Sequence, residues 1–194
     1  MFFYRVTDKD SVAAFEPGQG FIAGNTSSRV TLDPLIQDDA IELVEYIQRH
    51  LNWKNRYPTP FISAYLDFDT AKTEALRRVN DGKKSVVLWK ICLDEDDDLE
   101  WATIYDLKRE LGFWIQDNAF HNAKYEALFV RKIPRDYVVG GERYTNRQGN
   151  GFRTGLEFKS KAIIVMAVEK KQKKERKMEV GDKPSSTLGF IFVA

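Results

Sequence analysis

The sequence predicts a mixed α+β domain. Segments with strand-like and helix-like apolar spacing follow one another without strict strand–helix–strand alternation, which favours α+β over a doubly wound sheet. The chain has 194 residues, of which 43% are hydrophobic and 13% aromatic. It is therefore long enough for a packed core and too apolar for a disordered protein. We expect a single domain over residues 1–194.

The first half of the chain predicts two strands and two helices. Aromatic residues predict a strand at 2–6, and apolar residues at three- and four-residue spacing predict a helix at 38–51. Two prolines hold the next loop extended before a strand at 61–65. A second helix is expected over residues 70–79, capped by Asp69 or Thr70 and ending just before Gly82.

The second half predicts further strands, one helix and a charged loop. An apolar, β-branched run indicates a buried strand at 85–93, and a helix follows at 103–111 with Gly112 as its stop. The remaining strands are expected at 126–133, 137–139, 163–168 and 188–193. Residues 170–187 are too charged to bury much apolar area, so we expect a mobile loop there.

The composition excludes several classes of function. Thirty basic and 29 acidic residues leave a net charge of +1, so no overall field attracts nucleic acid or membrane. A single cysteine excludes an internal disulfide, and with only two histidines no metal site is expected. No apolar run is long enough for a membrane helix, and the first residues do not resemble a signal peptide. We expect a protein that acts in a cytoplasm, either its own or that of a host cell.

Three short segments carry the residues of greatest chemical interest. FFYR, PFIS and KYEALF place Arg5, Ser63 and Glu126 on three predicted strands, in that order. Taken singly, each has an ordinary interpretation, as a surface arginine, an outward-facing serine or a solvent-exposed carboxylate. Their neighbours make the set more specific: EALFVRKIP is followed by YVVG, and PFISAY is followed by a predicted helix.

These segments resemble the toxin-like mono-ADP-ribosyltransferases, in particular the A subunits of cholera toxin and heat-labile enterotoxin. In that class an arginine follows an aromatic residue on the first strand, a Ser-Thr-Ser strand comes next, and the catalytic glutamate precedes an Ile-Pro turn. The resemblance covers residues 2–145. The run HLNWKNRYPTPFISAY also resembles uncharacterised domains of fungal proteins that are distantly related to this class.

The resemblance implies an ADP-ribosyltransferase-like split β-sheet sandwich with flanking helices, which binds NAD as co-substrate. The implied activity is mono-ADP-ribosyl transfer or NAD hydrolysis, in which the nicotinamide–ribose bond breaks through an oxocarbenium-like state. Arg5 would anchor the phosphate and ribose side, Ser63 would brace the strand and contact the ribose, and Glu126 would stabilise the oxocarbenium ion. An arginine fork suits phosphate, and a carboxylate suits a cationic sugar.

The same resemblance suggests a wider NAD-binding set. The backbone of Val6 would hold the nicotinamide amide, and Phe68 would stack on its ring. Tyr65 would either stack in the pocket or pack in the core. His50 would hold the nicotinamide-side ribose, or simply place a cation at a helix end. The partners implied are NAD and an unidentified protein or nucleic-acid acceptor, and the protein would act in its own cytoplasm or as an effector delivered to a host cytosol.

Two departures from the family pattern leave alternatives open. Lys124 stands where the class usually has Glu or Gln, and the serine triplet is reduced to Ser63-Ala64-Tyr65. A lysine there argues against arginine as acceptor. One alternative is therefore a catalytically inactive member of the fold that acts as a binding module. Another is an unrelated α+β interaction domain whose contact surface is the basic 170–177 loop.

Overall fold

The structure is a computed structural model that describes residues 1–32, 40–52, 55, 57–94, 97–115 and 123–145. The predicted strands at 163–168 and 188–193 and the charged loop at 170–187 lie outside the described residues. The expectation of one domain over residues 1–194 therefore stays a prediction. No helix among the described residues is long and apolar enough to span a membrane.

The described part of the chain forms two antiparallel sheets. The larger sheet contains β1 (Phe2–Thr7), β4 (Phe61–Tyr65), β5 (Val86–Cys92), β6 (Trp101–Thr103), β7 (Glu126–Val130) and β9 (Val138–Tyr144), in the spatial order β6-β7-β4-β1-β5-β9. The smaller sheet contains β2 (Phe15–Glu16), β3 (Gly20–Ile22) and β8 (Lys132–Pro134), in the order β2-β3-β8. The mixed α+β class is confirmed.

The two sheets share one apolar core. It contains Phe3, Ile62 and Phe129 from the larger sheet and Phe21 and Ile133 from the smaller one, all with no exposed surface. Phe3 contacts Phe129 edge to face, with ring centres 5.0 Å apart. Side chains alternate along a strand, so the neighbours of these residues face the other side of the larger sheet, where the helices lie.

The predicted strand at 126–133 is wrong in one respect, because it is two strands in different sheets. Arg131 separates them with a left-handed φ of 59°, a conformation that breaks the pleat. Its amide donates to the Pro60 carbonyl at 2.6 Å, and its carbonyl accepts from the Ala23 amide at 2.8 Å. The chain thus passes from the larger sheet to the smaller one at this residue.

Among the described residues, three helices cover the other face of the larger sheet: α1 (Ala40–Leu51), α2 (Phe68–Asn80) and α3 (Ile104–Leu111). Leu43, Ile47 and Leu107 of α1 and α3 pack against Phe61 and Leu128 of the sheet. Helix α2 packs its alanine face, Ala71 and Ala75, beside Val6 and Leu88. The helices therefore lie over the strands that carry the candidate residues.

Two predicted boundaries are corrected, and one stop is confirmed. Helix α2 begins earlier than expected, because Asp67 rather than Asp69 or Thr70 is its N-cap and accepts from the Thr70 amide at 2.7 Å. Gly112 ends α3 in the left-handed conformation with φ 68°. Strand β9 continues to Tyr144 instead of ending at residue 139, because its residues pair with β5 as far as Tyr144, which lies opposite Val86.

Candidate active site

Three neighbouring strands of the larger sheet bring the predicted trio together. Glu126 lies on β7, Ser63 on β4 and Arg5 on β1, and these strands are adjacent in the order β7-β4-β1. Tyr65 pairs with Glu126 across β4 and β7, whereas β1 and β4 pair in register only at Tyr4 and Tyr65. The strands that carry Arg5 and Ser63 thus share one registered residue pair, and the Arg5 guanidinium adds a bond to the Ser63 carbonyl.

Arg5 is a buried cation with two backbone partners. Its Nη1 donates to the Ser63 carbonyl at 2.6 Å, and its Nη2 donates to the Ala13 carbonyl at 2.8 Å. The guanidinium lies 5.2 Å from the centre of the Phe21 ring, and the residue is 8% exposed. Its buried Nε has no partner among the described residues. Burial, and then the nearby charge of Arg78, lowers the pKa of Arg5 to about 9, so it remains charged at neutral pH.

Glu126 is a buried carboxylate close to this cation. It is 8% exposed, and burial raises its pKa, while the Ser63 hydroxyl hydrogen bond and the charges of Arg5 and Arg78 act in the opposite direction. Within the described residues, neither Arg5 nor Glu126 has an oppositely charged atom within the 4.0 Å of an ion pair. Buried charges are usually paired. Two perturbed, unpaired groups of opposite sign are the pattern of a functional site.

The end of helix α1 brings His50 into the same cluster. Its Nε2 lies 2.7 Å from Ser63 Oγ, and its Nδ1 lies 2.6 Å from Thr59 Oγ1. Burial, and then the charge of Arg5, lowers the pKa of His50 to about 4. The imidazole is therefore neutral at neutral pH. The interpretation of His50 as a helix-end cation is wrong, because the ring points into a desolvated site beside an arginine.

Helix α2 supplies charged residues that the sequence analysis missed. Arg78 donates from Nε to Glu74 Oε1 at 2.7 Å and from Nη1 to Asp8 Oδ2 at 2.9 Å. The same Nη1 lies 3.3 Å from the Val6 carbonyl, so that carbonyl already has a donor. Glu74 is 5% exposed. The i, i+4 spacing of Glu74 and Arg78 among alanines was the available signal for an ion pair on the buried helix face.

Residues 1–146 match the family described as "Domain of unknown function (DUF7587)". The chain belongs to this family. No curated protein matches the chain. Among solved structures, one named EcPltA is similar, with 14% sequence identity over 80% of this chain and 82% of its own chain, and a TM-score of 0.49. By themselves, this identity and TM-score do not establish a shared fold.

Two other predicted binding residues of this DUF7587 domain, Tyr65 and Phe68, lie at helix α2. Tyr65 is 7% exposed and packs in the core beneath α2; burial, and then the charge of Glu126, raises its pKa. Phe68, the first residue of α2, is 40% exposed and contacts Tyr4 edge to face at 5.3 Å. Lys124 is exposed, with Nζ 4.5 Å from the centre of the Tyr125 ring. His121, the second histidine of the sequence, lies outside the described residues.

Ser63 is the common partner of this DUF7587 site. Its carbonyl accepts from Arg5, and its hydroxyl lies 2.7 Å from His50 Nε2. The same hydroxyl lowers the pKa of Glu126. Thr59 was missed because it lies in a proline-rich loop, where nothing in the sequence distinguishes it. Among the residues that the structure describes, no group of three or more metal-ligating side chains is close enough to hold a metal ion.

Proposed function

We propose that this domain binds NAD and cleaves its nicotinamide–ribose bond, as a mono-ADP-ribosyltransferase or an NAD glycohydrolase with an ADP-ribosyltransferase-like split sandwich. One observation carries the proposal. Ser63 on the middle strand accepts from Arg5 through its carbonyl, and its hydroxyl lowers the pKa of Glu126, which lies on the neighbouring strand β7. A buried cation and a buried carboxylate are thus held on either side of one small residue.

Arg5 fits the anionic part of NAD. It carries a buried charge with no ion pair among the described residues, and its Nε has no partner there. A diphosphate supplies two negative charges and several acceptor oxygens, which a guanidinium fork recognises better than an ammonium does. The two bonds to backbone carbonyls hold the guanidinium in place, so little ordering entropy is lost on binding.

Glu126 fits the reacting part of NAD. When the bond to nicotinamide breaks, its electron pair leaves with nicotinamide, and positive charge builds on the ribose carbon. A carboxylate in a desolvated site stabilises that charge more strongly than one in water. Water or an acceptor nucleophile then bonds to the same carbon and gives up a proton.

The other predicted contacts with NAD belong to the same proposal. Phe68 offers a partly exposed ring for nicotinamide, and the Val6 carbonyl would accept from the nicotinamide amide as well as from Arg78. Tyr65 would form the wall of the pocket on the core side. His50 would contact the ribose and would also hold Ser63 by its hydrogen bond to the hydroxyl. Two residues before Glu126 the chain has the exposed Lys124 and not an acidic or amide residue. We therefore do not propose arginine as the acceptor. Action in the cytoplasm or in a host cytosol also stays a prediction.

The proposal is tested by nicotinamide release from NAD by the purified protein. Removing the carboxylate with Glu126→Gln should lower the rate by about 10²-fold or more. Glu110→Gln, on the exposed side of α3, is the matched control and should leave the rate unchanged. Equal inactivity of the wild type and Glu126→Gln, with no effect of NAD on the melting temperature, would overturn both the activity and the NAD site.

A second candidate is a catalytically inactive NAD-binding module. The exposed Lys124, in place of an acidic or amide residue, is the observation that favours it. In that case NAD would raise the melting temperature of the wild type while no nicotinamide appears. Arg5→Lys, which keeps the charge and loses the planar fork, should reduce this thermal shift.

A further inference from the structure

We propose that one end of the larger sheet binds single-stranded nucleic acid, which would then be the acceptor of the proposed reaction. This surface, the aromatic end of the sheet, consists of Phe2 and Tyr4 on β1 and Lys90 on β5. The acceptor role rests on the proposed function. The binding of the strand does not, and it can be tested without NAD.

A row of paired residues connects this surface to the candidate active site. Glu126 pairs with Tyr65 across β7 and β4. Tyr4 of β1 pairs with Tyr65 on one side and with Lys90 of β5 on the other. Directly paired residues lie on the same face of a sheet, so the row leads from Glu126 to Lys90. Three strand spacings make this about 14 Å, the length of about four stacked nucleotides.

Helix α2 leaves the aromatic end of the sheet uncovered. The helix begins at Phe68, which contacts Tyr4 edge to face at 5.3 Å, and it packs over the other end of β1 and β5. Phe2 lies beyond the start of the helix and is 47% exposed. The Leu93 amide donates to the Met1 carbonyl at 2.9 Å, which continues the ladder past Phe2. An exposed ring on a fixed strand loses little entropy when it binds a ligand.

The side chains of this surface fit a base and a phosphate. Lys90 Nζ lies 3.9 Å from the centre of the Phe2 ring, so the ammonium lies on one face of the ring and the exposed part remains open to a base. Lys90 has no ion pair among the described residues, which leaves its charge for a phosphate. Exposed rings on a sheet stack unpaired bases, and neighbouring cations bind the backbone.

The charges around the surface limit how a strand can lie on it. The net charge of +1 gives no overall attraction for nucleic acid, so a local phosphate contact must act together with stacking. Asp67 and Asp69, at the start of α2, repel phosphate on that side. The backbone of the strand would therefore pass Lys90, with its bases directed along the row towards Glu126.

In the proposed reaction a base at the Glu126 end of the row is the nucleophile. An amino nitrogen of the base bonds to the ribose carbon, the bond from that carbon to nicotinamide breaks, and its electron pair leaves with nicotinamide. The amino group gives one proton to solvent. The exposed Lys124 stands two residues before Glu126, where its charge favours a polyanion over an arginine side chain.

The first test is the fluorescence anisotropy of a labelled single-stranded DNA of about 12 nucleotides, titrated with the full chain at about 50 mM salt without NAD. Phe2→Leu keeps an apolar side chain and loses the ring, so it should weaken binding about tenfold, and Phe2→Trp should restore it. Lys90→Gln should reduce the slope of log K against log salt by about 0.7, the value of one phosphate contact. A duplex of the same sequence should bind more weakly than the single strand.

Two variants elsewhere on the surface are the matched controls. Tyr105→Leu removes an exposed ring on α3, and Lys132→Gln removes an exposed lysine on β8. Both should bind the strand like the wild type. Equal binding by Phe2→Leu and wild type, equal binding of strand and duplex, or no binding of the strand overturns the inference. Binding of a random copolymer of glutamate and tyrosine in place of the strand would overturn it in favour of a protein partner.

The second test adds NAD and measures the mass of the strand. Transfer adds one ADP-ribose group to the strand, and Phe2→Leu should reduce this product more than it reduces nicotinamide release into water. A strand that binds and is not modified, while nicotinamide is released, overturns the acceptor role. If no nicotinamide is released, the proposed function fails, while the anisotropy still decides whether the aromatic end of the sheet binds a strand.

Discussion

Ser63 shows how much one small residue can organise. Its backbone carbonyl accepts from Arg5 on β1, and its hydroxyl lowers the pKa of Glu126 on β7, so β4 lies between a buried cation and a buried carboxylate. A larger residue would fill the space beside Glu126. An alanine would keep the Arg5 contact and lose the hydroxyl links to His50 and Glu126. Ser63 therefore holds Arg5 through its backbone and lowers the pKa of Glu126 through its side chain.

Glu126→Gln should stabilise the fold while it removes activity. The pKa of Glu126 is raised in the folded protein, so its ionised form is disfavoured there even after the attraction of Arg5. The neutral amide avoids this cost. We expect a melting temperature about 2–4 °C higher at pH 8, which corresponds to about 1 kcal/mol.

Two comparisons make this expectation specific. The gain should shrink as the pH falls and the wild-type carboxylate takes up its proton, because only the charged form is penalised. Glu110→Gln should change the melting temperature little at either pH. A lower melting temperature for Glu126→Gln at pH 8 would mean that the carboxylate is a net structural partner of Arg5.

Helix α2 is fixed to the sheet by charge as well as by its alanine face. Burial would raise the pKa of Glu74, but the hydrogen bonds from Arg77 and Arg78 outweigh burial, and the pKa is lowered. Arg78 continues the connection to Asp8 and to the Val6 carbonyl. The position of the helix relative to β1, and so the access to Val6, depends on this network.

Glu74→Ala should destabilise the protein by about 2 kcal/mol. Breaking a buried ion pair costs more than this, but Arg77 and Arg78 are 48% and 24% exposed, so solvent recovers part of the cost. Glu45→Ala is the matched control, because its i, i+4 pair with Arg49 is 57% and 55% exposed. That change should cost less than about 0.5 kcal/mol. Urea unfolding measures both, and equal losses would contradict the structural role of Glu74.

For the molecule as a whole, the site is a stability cost that the two-sheet core must offset. Arg5, His50 and Glu126 are all desolvated, whereas the surrounding core is apolar and closely packed. Their pKa shifts make global stability depend on pH. His50 and Glu126 act with opposite signs, because the folded state holds His50 neutral and favours the protonated form of Glu126.

Stability should rise with pH as His50 loses its proton in the unfolded chain. The folded pKa is about 4 and the ordinary value is 6.5, so between these values the unfolded state binds more protons and unfolding is favoured by acid. The contribution is fully present above about pH 6.5 and amounts to at most about 3 kcal/mol. His50→Gln should flatten the rise in unfolding free energy between pH 5 and 7.

The opposing effect of Glu126 can be removed in the same experiment. In a Glu126→Gln background the total rise of the unfolding free energy with pH should be steeper at its acidic end. The reason is that protonation of Glu126, which favours the folded state at low pH, no longer opposes the effect of His50. Urea unfolding at several pH values gives both slopes. Identical pH profiles with and without His50 would show that the ring is solvated and not held neutral.

Much of the secondary structure could be predicted from local patterns. The strands around Arg5 and Ser63, the end of α3 at Gly112 and the helix before the second motif follow from side-chain periodicity and glycine chemistry. The start of α2 was missed by two residues, because Asp67, Asp69 and Thr70 are all acceptable caps. The break at Arg131 was missed because nothing in an apolar strand pattern marks a non-glycine residue with positive φ.

The sequence by itself determined which residues are available: an arginine, a serine and a glutamate on successive strand motifs, with a histidine at a helix end. Only the tertiary structure decided what each one contacts. Arg5 meets the carbonyl of a residue 58 positions away, and Arg78 meets that of a residue 72 positions away. Periodicity encodes which face of an element is buried, but not which elements become neighbours. Strand order therefore placed Ser63 between the two charges, and the packing of helix α1 directed His50 towards it.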